Sequence, residues 1–309
     1  MTRAVVFAYH DVGVRCLRVL LAHGIEVALV LTHEDNPQEQ IWFDSVARHA
    51  HWHGLKVITP ADPNTPEIIA QVRAARADFL FSFYYRNMLG AELLACASRG
   101  AYNMHGSLLP QYRGRVPVNW AVLRGERTTG ATLHAMTIKP DAGALVDAEA
   151  VPILPDDTAV EVFRKVTVAA EITLDRALPG LVAGTAKLKA QDLSQGGYFG
   201  RRTARDGAID WHQGIGAVHN LVRAVAPPFP GAFARADGEA LRVLRTLPVA
   251  DPGSAEPQLL WRDEAVLALC PDGALKLLEF ELGSGVRDAA GFRARYGARS
   301  LALANGAIE

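Results

Sequence analysis

Three cysteines in 309 residues, Cys16, Cys96 and Cys270, are too few and too scattered for a disulfide framework or a CxxC metal site. A reducing compartment suits such a chain. Excess charge of one sign is also missing: 32 basic side chains stand against 33 acidic ones, for a formal charge of −1. Proteins that grip a nucleic-acid backbone carry a basic footprint, and none is visible overall. No apolar run approaches the ~18 residues of a membrane span. The apolar start from Met1 to Tyr9 turns polar at His10-Asp11, short of a signal peptide's apolar core. These absences predict a soluble, cytoplasmic protein. Three common signatures are missing too. After the first apolar run the chain reads Ala8-Tyr9-His10-Asp11-Val12-Gly13 rather than G-x-G-x-x-G, and neither a Walker phosphate loop nor a G-x-S-x-G elbow occurs. Nicotinamide chemistry, nucleotide hydrolysis and a serine-hydrolase mechanism lose their usual support.

Half the residues are hydrophobic and about a fifth are charged, an ordinary globular balance with length for two domains. Short β-branched runs alternate with helical patterns: 4–9, a helix over 14–23, 26–32, a helix near 41–53, 56–59, a helix over 66–77, 78–83, a short helix over 91–97, and 100–105. That rhythm predicts an α/β, Rossmann-like, mostly parallel sheet covered on both faces. Strands over 130–138 and 144–153 follow, then a long helix from 159 to about 181 that Pro179-Gly180 should help to stop. The polar stretch 191–200 reads as a linker between a catalytic domain over 1–190 and a smaller domain over 201–309. In the smaller domain a helix over 215–225 precedes short strands near 232–235, 240–244, 265–270 and 274–280, with Asp237-Gly238 and Asp272-Gly273 as turns. A barrel-like, OB-like domain is expected.

Chemistry-bearing residues concentrate in Asn103-Met104-His105-Gly106-Ser107-Leu108-Leu109-Pro110-Gln111-Tyr112-Arg113-Gly114-Arg115-Val116-Pro117, at the carboxyl end of a predicted strand, where open sheets bind ligands. On a strand of period two, Asn103 and His105 project to one face. Acyl transfer uses that pair: an amide N–H holds the oxyanion that develops as an amine adds to a carbonyl carbon, and an imidazole moves the proton. Asp141, in Lys139-Pro140-Asp141-Ala142-Gly143, is the candidate to keep His105 charged and oriented. Taken alone, that segment reads as a hairpin turn. His49, His51 and His53 alternate like a metal ladder, but on a helix they diverge, and no metal site is expected.

At these residues the sequence resembles the folate-dependent formyltransferases, whose signature is an N-x-H strand end followed by S-L-L-P and R-G, with a downstream aspartate. The likeness extends to Phe81-Ser82-Phe83-Tyr84-Tyr85-Arg86, Ile209-Asp210-Trp211, Val222-Arg223-Ala224 and Phe229-Pro230-Gly231-Ala232. Within that family it is most similar to the branch acting on UDP-4-amino-4-deoxy-L-arabinose, a sugar nucleotide used in lipid A modification. The resemblance implies Asn103, His105 and Asp141 as catalytic residues. It also implies 10-formyltetrahydrofolate as formyl donor, its pterin against the backbone of Asn87, Met88 and Leu89 and of Thr137, Ile138, Lys139, Pro140 and Asp141, with Arg115 close by. Arg201 and Arg202, just past the linker, are candidates for bidentate contact with a substrate pyrophosphate, although paired surface arginines are more often merely solvated. Arg113 stays open between a substrate contact and an internal ion pair. No length remains for the additional NAD-dependent decarboxylase of bifunctional relatives, which implies a single-function form and leaves other amino sugars on UDP or dTDP in play.

Two other readings compete. Methionyl-tRNA formyltransferase shares the N-x-H, S-L-L-P and aspartate elements. However, the loop after the second predicted strand, His33-Glu34-Asp35-Asn36-Pro37-Gln38-Glu39, is acidic, and so offers no path for an RNA backbone. A small-molecule partner is expected and no nucleic acid. A noncatalytic folate-binding module would not need a proton-handling pair.

Overall fold

The computed structural model describes residues 1–306. Its contacts divide the chain into two compact units, each drawn from separated stretches: Met1–Pro117, Thr128–Pro152 and Phe163–Gly200 in the first, and Val118–Arg127, Ile153–Val162 and the chain from Arg201 in the second.

The first unit begins with β1 (Arg3–Ala8), α1 (His10–Ala22), β2 (Glu26–Leu31), α2 (Val46–Trp52) and β3 (Val57–Ile58), followed by α3 (Pro66–Ala74), β4 (Phe79–Phe83), α4 (Ala91–Leu94) and β5 (Ala101–His105). These five strands pair in parallel in the order β3-β2-β1-β4-β5. Buried strands read as continuous apolar runs, and all five residues of β4 are indeed buried. Next come β6 (Arg113–Gly114), then α5 (Pro117–Leu123), which apart from Pro117 belongs to the second unit, then β7 (Thr128–Ala135) and β8 (Leu145–Pro152), and β7 and β8 extend the sheet antiparallel beyond β5. After α6 (Ala159–Ala183), the two-residue β9 (Tyr198–Phe199) pairs in parallel with β6.

Several helix limits differ from expectation: α3 ends at Ala74 rather than 77 and α4 at Leu94 rather than 97, and three others have a local reason. α1 starts at His10 rather than 14: the His10 ring is held by stacking on Phe43 at 3.8 Å and by the edges of Trp42 and Phe163, and its Nδ1 accepts the Asp11 N–H at 3.0 Å. α2 starts at Val46 rather than near 41, because the Ser45 side chain accepts the Arg48 N–H as its N-cap. α6 runs through Pro179 to Ala183. Leu178 and Leu181 are buried, and their packing outweighs the one backbone bond that proline removes.

In the second unit, α7 (Ile215–Val225) turns Val218, Val222 and Val225 into a core shared with a closed six-stranded barrel. Its strands are β10 (Ala232–Ala236), β11 (Glu239–Val249), β12 (Gln258–Arg262), β13 (Ala265–Cys270), β14 (Gly273–Leu282) and, after α8 (Ala289–Tyr296), β15 (Leu301–Ala304). β12 and β15 were not expected from the sequence, yet they pair with each other and close the barrel. Closure leaves no long free edge. Among the described residues no helix is long and apolar enough to cross a membrane.

Candidate active site

β5 delivers Asn103 and His105 to the carboxyl edge of the sheet, and β7 lies antiparallel beside it with Asn103 opposite His134 and His105 opposite Thr132. Thr132 secures the loop that leaves β5: its hydroxyl donates to the Ser107 carbonyl at 2.6 Å and accepts from the Leu109 N–H at 3.1 Å. The Ser107 hydroxyl in turn donates to the Gln111 carbonyl. The loop therefore returns Tyr112 to His105, whose Nε2 lies 2.8 Å from the Tyr112 carbonyl. A carbonyl only accepts, so Nε2 carries a proton.

Asp141 arrives from the turn between β7 and β8. A side-chain carbon on Gly143 would lie 1.8 Å from the Ala135 carbonyl, so only glycine lets this turn fold so closely onto β7. Gln191 fastens the turn, its Nε2 donating to the carbonyls of Asp141 and Gly143 at 3.0 and 2.6 Å. The Asp141 carboxylate accepts the Gly114 N–H at 2.8 Å and faces two imidazoles, His105 Nδ1 and His134 Nε2, each 3.5 Å from Oδ1. The structure thus brings Asn103, His105 and Asp141 together. It adds His134, which no motif singles out: its link to Asn103 is a matter of strand register.

Burial alone would raise the Asp141 carboxyl. The charge of His105, the bond to His134 and the Gly114 N–H reverse that and hold it near 2. For His105 the balance goes the other way. Burial lowers it below its ordinary value, only partly offset by Asp141 and the Tyr112 carbonyl, while His134 adds to the lowering. Burial is the larger influence on the ring, and Asp141 opposes the lowering without cancelling it. A neutral imidazole beside a carboxylate is poised to receive a proton.

Two turns flank this edge. In Asn87–Leu89, Asn64 holds the Met88 carbonyl and the Gly90 N–H, and the Asn87 side chain donates to the Ala61 carbonyl. In Thr137–Asp141 the Thr137 hydroxyl donates to the Lys139 carbonyl. Among the described residues, the backbone N–H groups of Asn87, Met88, Leu89, Ile138 and Lys139 take part in no hydrogen bond. Met88 and Ile138 are more than half exposed, at 53% and 65%. A cavity of about 370 Å³ is lined by Arg113, Lys139, Pro140, Leu193 and Tyr198. Arg115 is exposed, with its N–H on the Phe199 carbonyl.

Arg113 is buried and donates to the carbonyl of Leu193, so it braces the approach to β9. Arg202 belongs to the second unit: it donates to Asn119 Oδ1 and the Asp206 carbonyl and lies over the Trp120 ring. Arg201 is exposed. His49 lies on α2 as expected, 2.6 Å from Asp44.

An open α/β sheet presenting an amide, an imidazole and a carboxylate around one edge is equipped for acyl transfer to an amine. The chain belongs to the formyl transferase family, whose model matches residues 14–178, with the formyl transferase C-terminal domain matching residues 202–292. It is therefore a formyltransferase. Among solved structures it resembles an N-formyltransferase from Helicobacter canadensis in complex with folinic acid and dTDP-3-aminofucose, with 18% identity, TM-score 0.68, and coverage of 90% of this chain and 99% of that one. It also resembles a sugar N-formyltransferase from Shewanella sp. (20%, TM-score 0.62, 79% and 96%) and HypX from Aquifex aeolicus in complex with tetrahydrofolic acid (19%, TM-score 0.63, 95% and 47%). At these identities the likeness bears on the fold.

Proposed function

We propose that this formyltransferase moves the formyl group of 10-formyltetrahydrofolate to the amine of a nucleotide-linked amino sugar, with UDP-4-amino-4-deoxy-L-arabinose as acceptor, and so serves lipid A modification from the cytoplasm. The observation that carries the transfer reading is the convergence of Asn103, His105 and Asp141 at one sheet edge. The unpaired N–H groups of the 87–89 and 137–139 turns fit a flat heterocycle with alternating donors and acceptors, which supports folate as the donor. Asn87, Met88, Leu89, Thr137, Ile138, Lys139, Pro140 and Asp141 would line it, with Arg115 near its edge.

The folate supplies an activated formyl carbon. The acceptor nitrogen bonds to that carbon, the bond to the folate nitrogen breaks, and one proton passes from the first nitrogen to the second. An Asn103 N–H faces the charge that develops on the formyl oxygen. Neutral His105 takes the proton, and Asp141, ionised far below neutral pH, stabilises the imidazolium until the proton moves on.

For the acceptor, a formyltransferase of like fold is held in complex with dTDP-3-aminofucose, and the 33–39 loop carries Glu34, Asp35 and Glu39, with Tyr9 donating to Asp35 and Arg86 paired to Glu39. Those features favour a small anionic sugar nucleotide held elsewhere over an RNA backbone held here. Arg201 remains a candidate contact for the pyrophosphate. Arg202 can serve only if it gives up Asn119. Formyl transfer from 10-formyltetrahydrofolate to UDP-4-amino-4-deoxy-L-arabinose, dTDP-3- and dTDP-4-amino sugars and charged initiator tRNA tests the reading. The highest kcat/KM should fall on the arabinose nucleotide. Faster turnover of tRNA rejects the sugar assignment, and folate binding without transfer to any amine rejects catalysis.

A further inference from the structure

Asn103 and Asp141 converge on a second imidazole that the chemistry above leaves without a task. His134 is 2% exposed and stands directly across from Asn103 in the β5–β7 pairing, so both side chains lie on one face of the sheet. Its Nδ1 is 2.9 Å from the Ala135 carbonyl, an acceptor only, so Nδ1 carries a proton. Its Nε2 lies 3.1 Å from Asn103 Nδ2 and 3.5 Å from Asp141 Oδ1. The last torsion of an asparagine side chain is broad and roughly two-fold, so nothing intrinsic to Asn103 selects which end of its carboxamide faces the reacting carbonyl. A neighbour must decide it.

We infer that His134 is a positioning residue: its Nε2 holds one N–H of the Asn103 carboxamide and thereby aims the other at the formyl oxygen. With Nδ1–H on the Ala135 carbonyl, Nε2 accepts one Asn103 N–H and leaves the second for the substrate. The imidazole thereby sets the orientation of the amide. A donor already aimed needs no reorientation when charge develops, so the benefit belongs to the transition state rather than to ground-state binding. The inference rests on the proposed Asn103–His105–Asp141 site.

The test is steady-state kinetics of His134→Ala and His134→Gln, each alone and combined with Asn103→Ala, using 10-formyltetrahydrofolate and the acceptor of highest turnover in the panel above. His134→Ala should lower kcat roughly 10–100-fold, the range for removing a group that orients a reacting one. KM for both substrates should stay within about twofold, because ground-state binding is untouched. His134→Gln, which keeps an amide partner for Asn103, should recover much of the loss. In the Asn103→Ala background the cost of His134→Ala should shrink to below about threefold, since the group it aims is gone. An equal cost in both backgrounds, a loss that tracks the unfolded fraction by circular dichroism, or a wild-type kcat would overturn the inference. If His134→Ala does not fold, the comparison is made with His134→Gln in the two backgrounds, and equal costs again overturn it. Should Asn103→Ala alone keep the wild-type rate, the site reading itself fails, and this inference with it.

Discussion

At the carboxyl edge of the sheet, two buried imidazoles lie within reach of a half-buried carboxamide and carboxylate, whereas the barrel carries exposed ion pairs such as Arg295–Glu239 and Arg242–Glu281. Backbone geometry divides the same way. Tyr84, Tyr112, Val116 and Asp141, all near the sheet edge, adopt left-handed φ angles, while in the barrel Asp237, Asp263 and Glu264 do so only in tight turns between strands. The first unit gathers desolvated polar groups and left-handed backbone around one sheet edge, whereas among the described residues the strands of the barrel bury apolar side chains with Thr246 as the polar exception. Function and stability should therefore respond to different substitutions.

The largest effect that separates the two regions is expected at Asn103. Asn103→Ala should lower turnover by roughly 10²–10³, typical for losing an oxyanion donor, with little change in melting temperature. A variant as active as the parent would remove the amide from the chemistry. The reverse experiment belongs to the barrel, where Leu282 is fully buried. Leu282→Ala should destabilise the protein by about 2–5 kcal/mol in denaturant titrations while leaving kcat per folded molecule unchanged. A parallel drop in kcat would erase the contrast. Between these lies Gly106, where a side-chain carbon would meet the Tyr84 hydroxyl at 1.9 Å. Gly106→Ala should cost about 1–3 kcal/mol through overpacking, and it should also slow turnover because His105 is the adjacent residue.

A pH experiment sharpens the comparison further. Burial lowers His10 from 6.5 to about 3 and His33 from 6.5 to about 4, and lowers His105 as well; in the second unit it lowers His219. Below pH 6.5 the unfolded chain binds protons that these folded rings refuse, so stability is full above that value and falls as pH drops toward 4. Hydrogen exchange at pH 7 and pH 5 should show protection lost first around β1 and β4, and earlier loss in the barrel would contradict the assignment. The smallest effect is expected from the exposed barrel pairs: Arg295→Ala should change stability by less than about 1 kcal/mol in the same titrations.

Much of this was readable from the chain. Strands such as β4 are buried on both faces and announce themselves as apolar runs, and α7 begins and ends where its pattern does. Asn103 and His105 were legible because one strand carries both, with the period that aligns them. β12 and β15 were not, since what defines them is the register that pairs Gln258 with Ala302 and Leu259 with Leu301 to close the barrel. His134 was hidden for a related reason. Its importance lies in being opposite Asn103, and pairing register is a tertiary fact. The neighbouring carboxylate of His105 is visible in a motif, while the depth of burial that opposes its charge is not.

One further consequence follows from Gln191, whose side chain ties down the Asp141 turn from a position well after α6. A fragment ending at residue 190 would retain Asn103, His105, His134 and Asp141 and yet lose the latch on its own carboxylate. The stretch that looks like a spacer between modules is thus an integral part of the first one, and grafting this catalytic half onto another partner would have to carry that latch along.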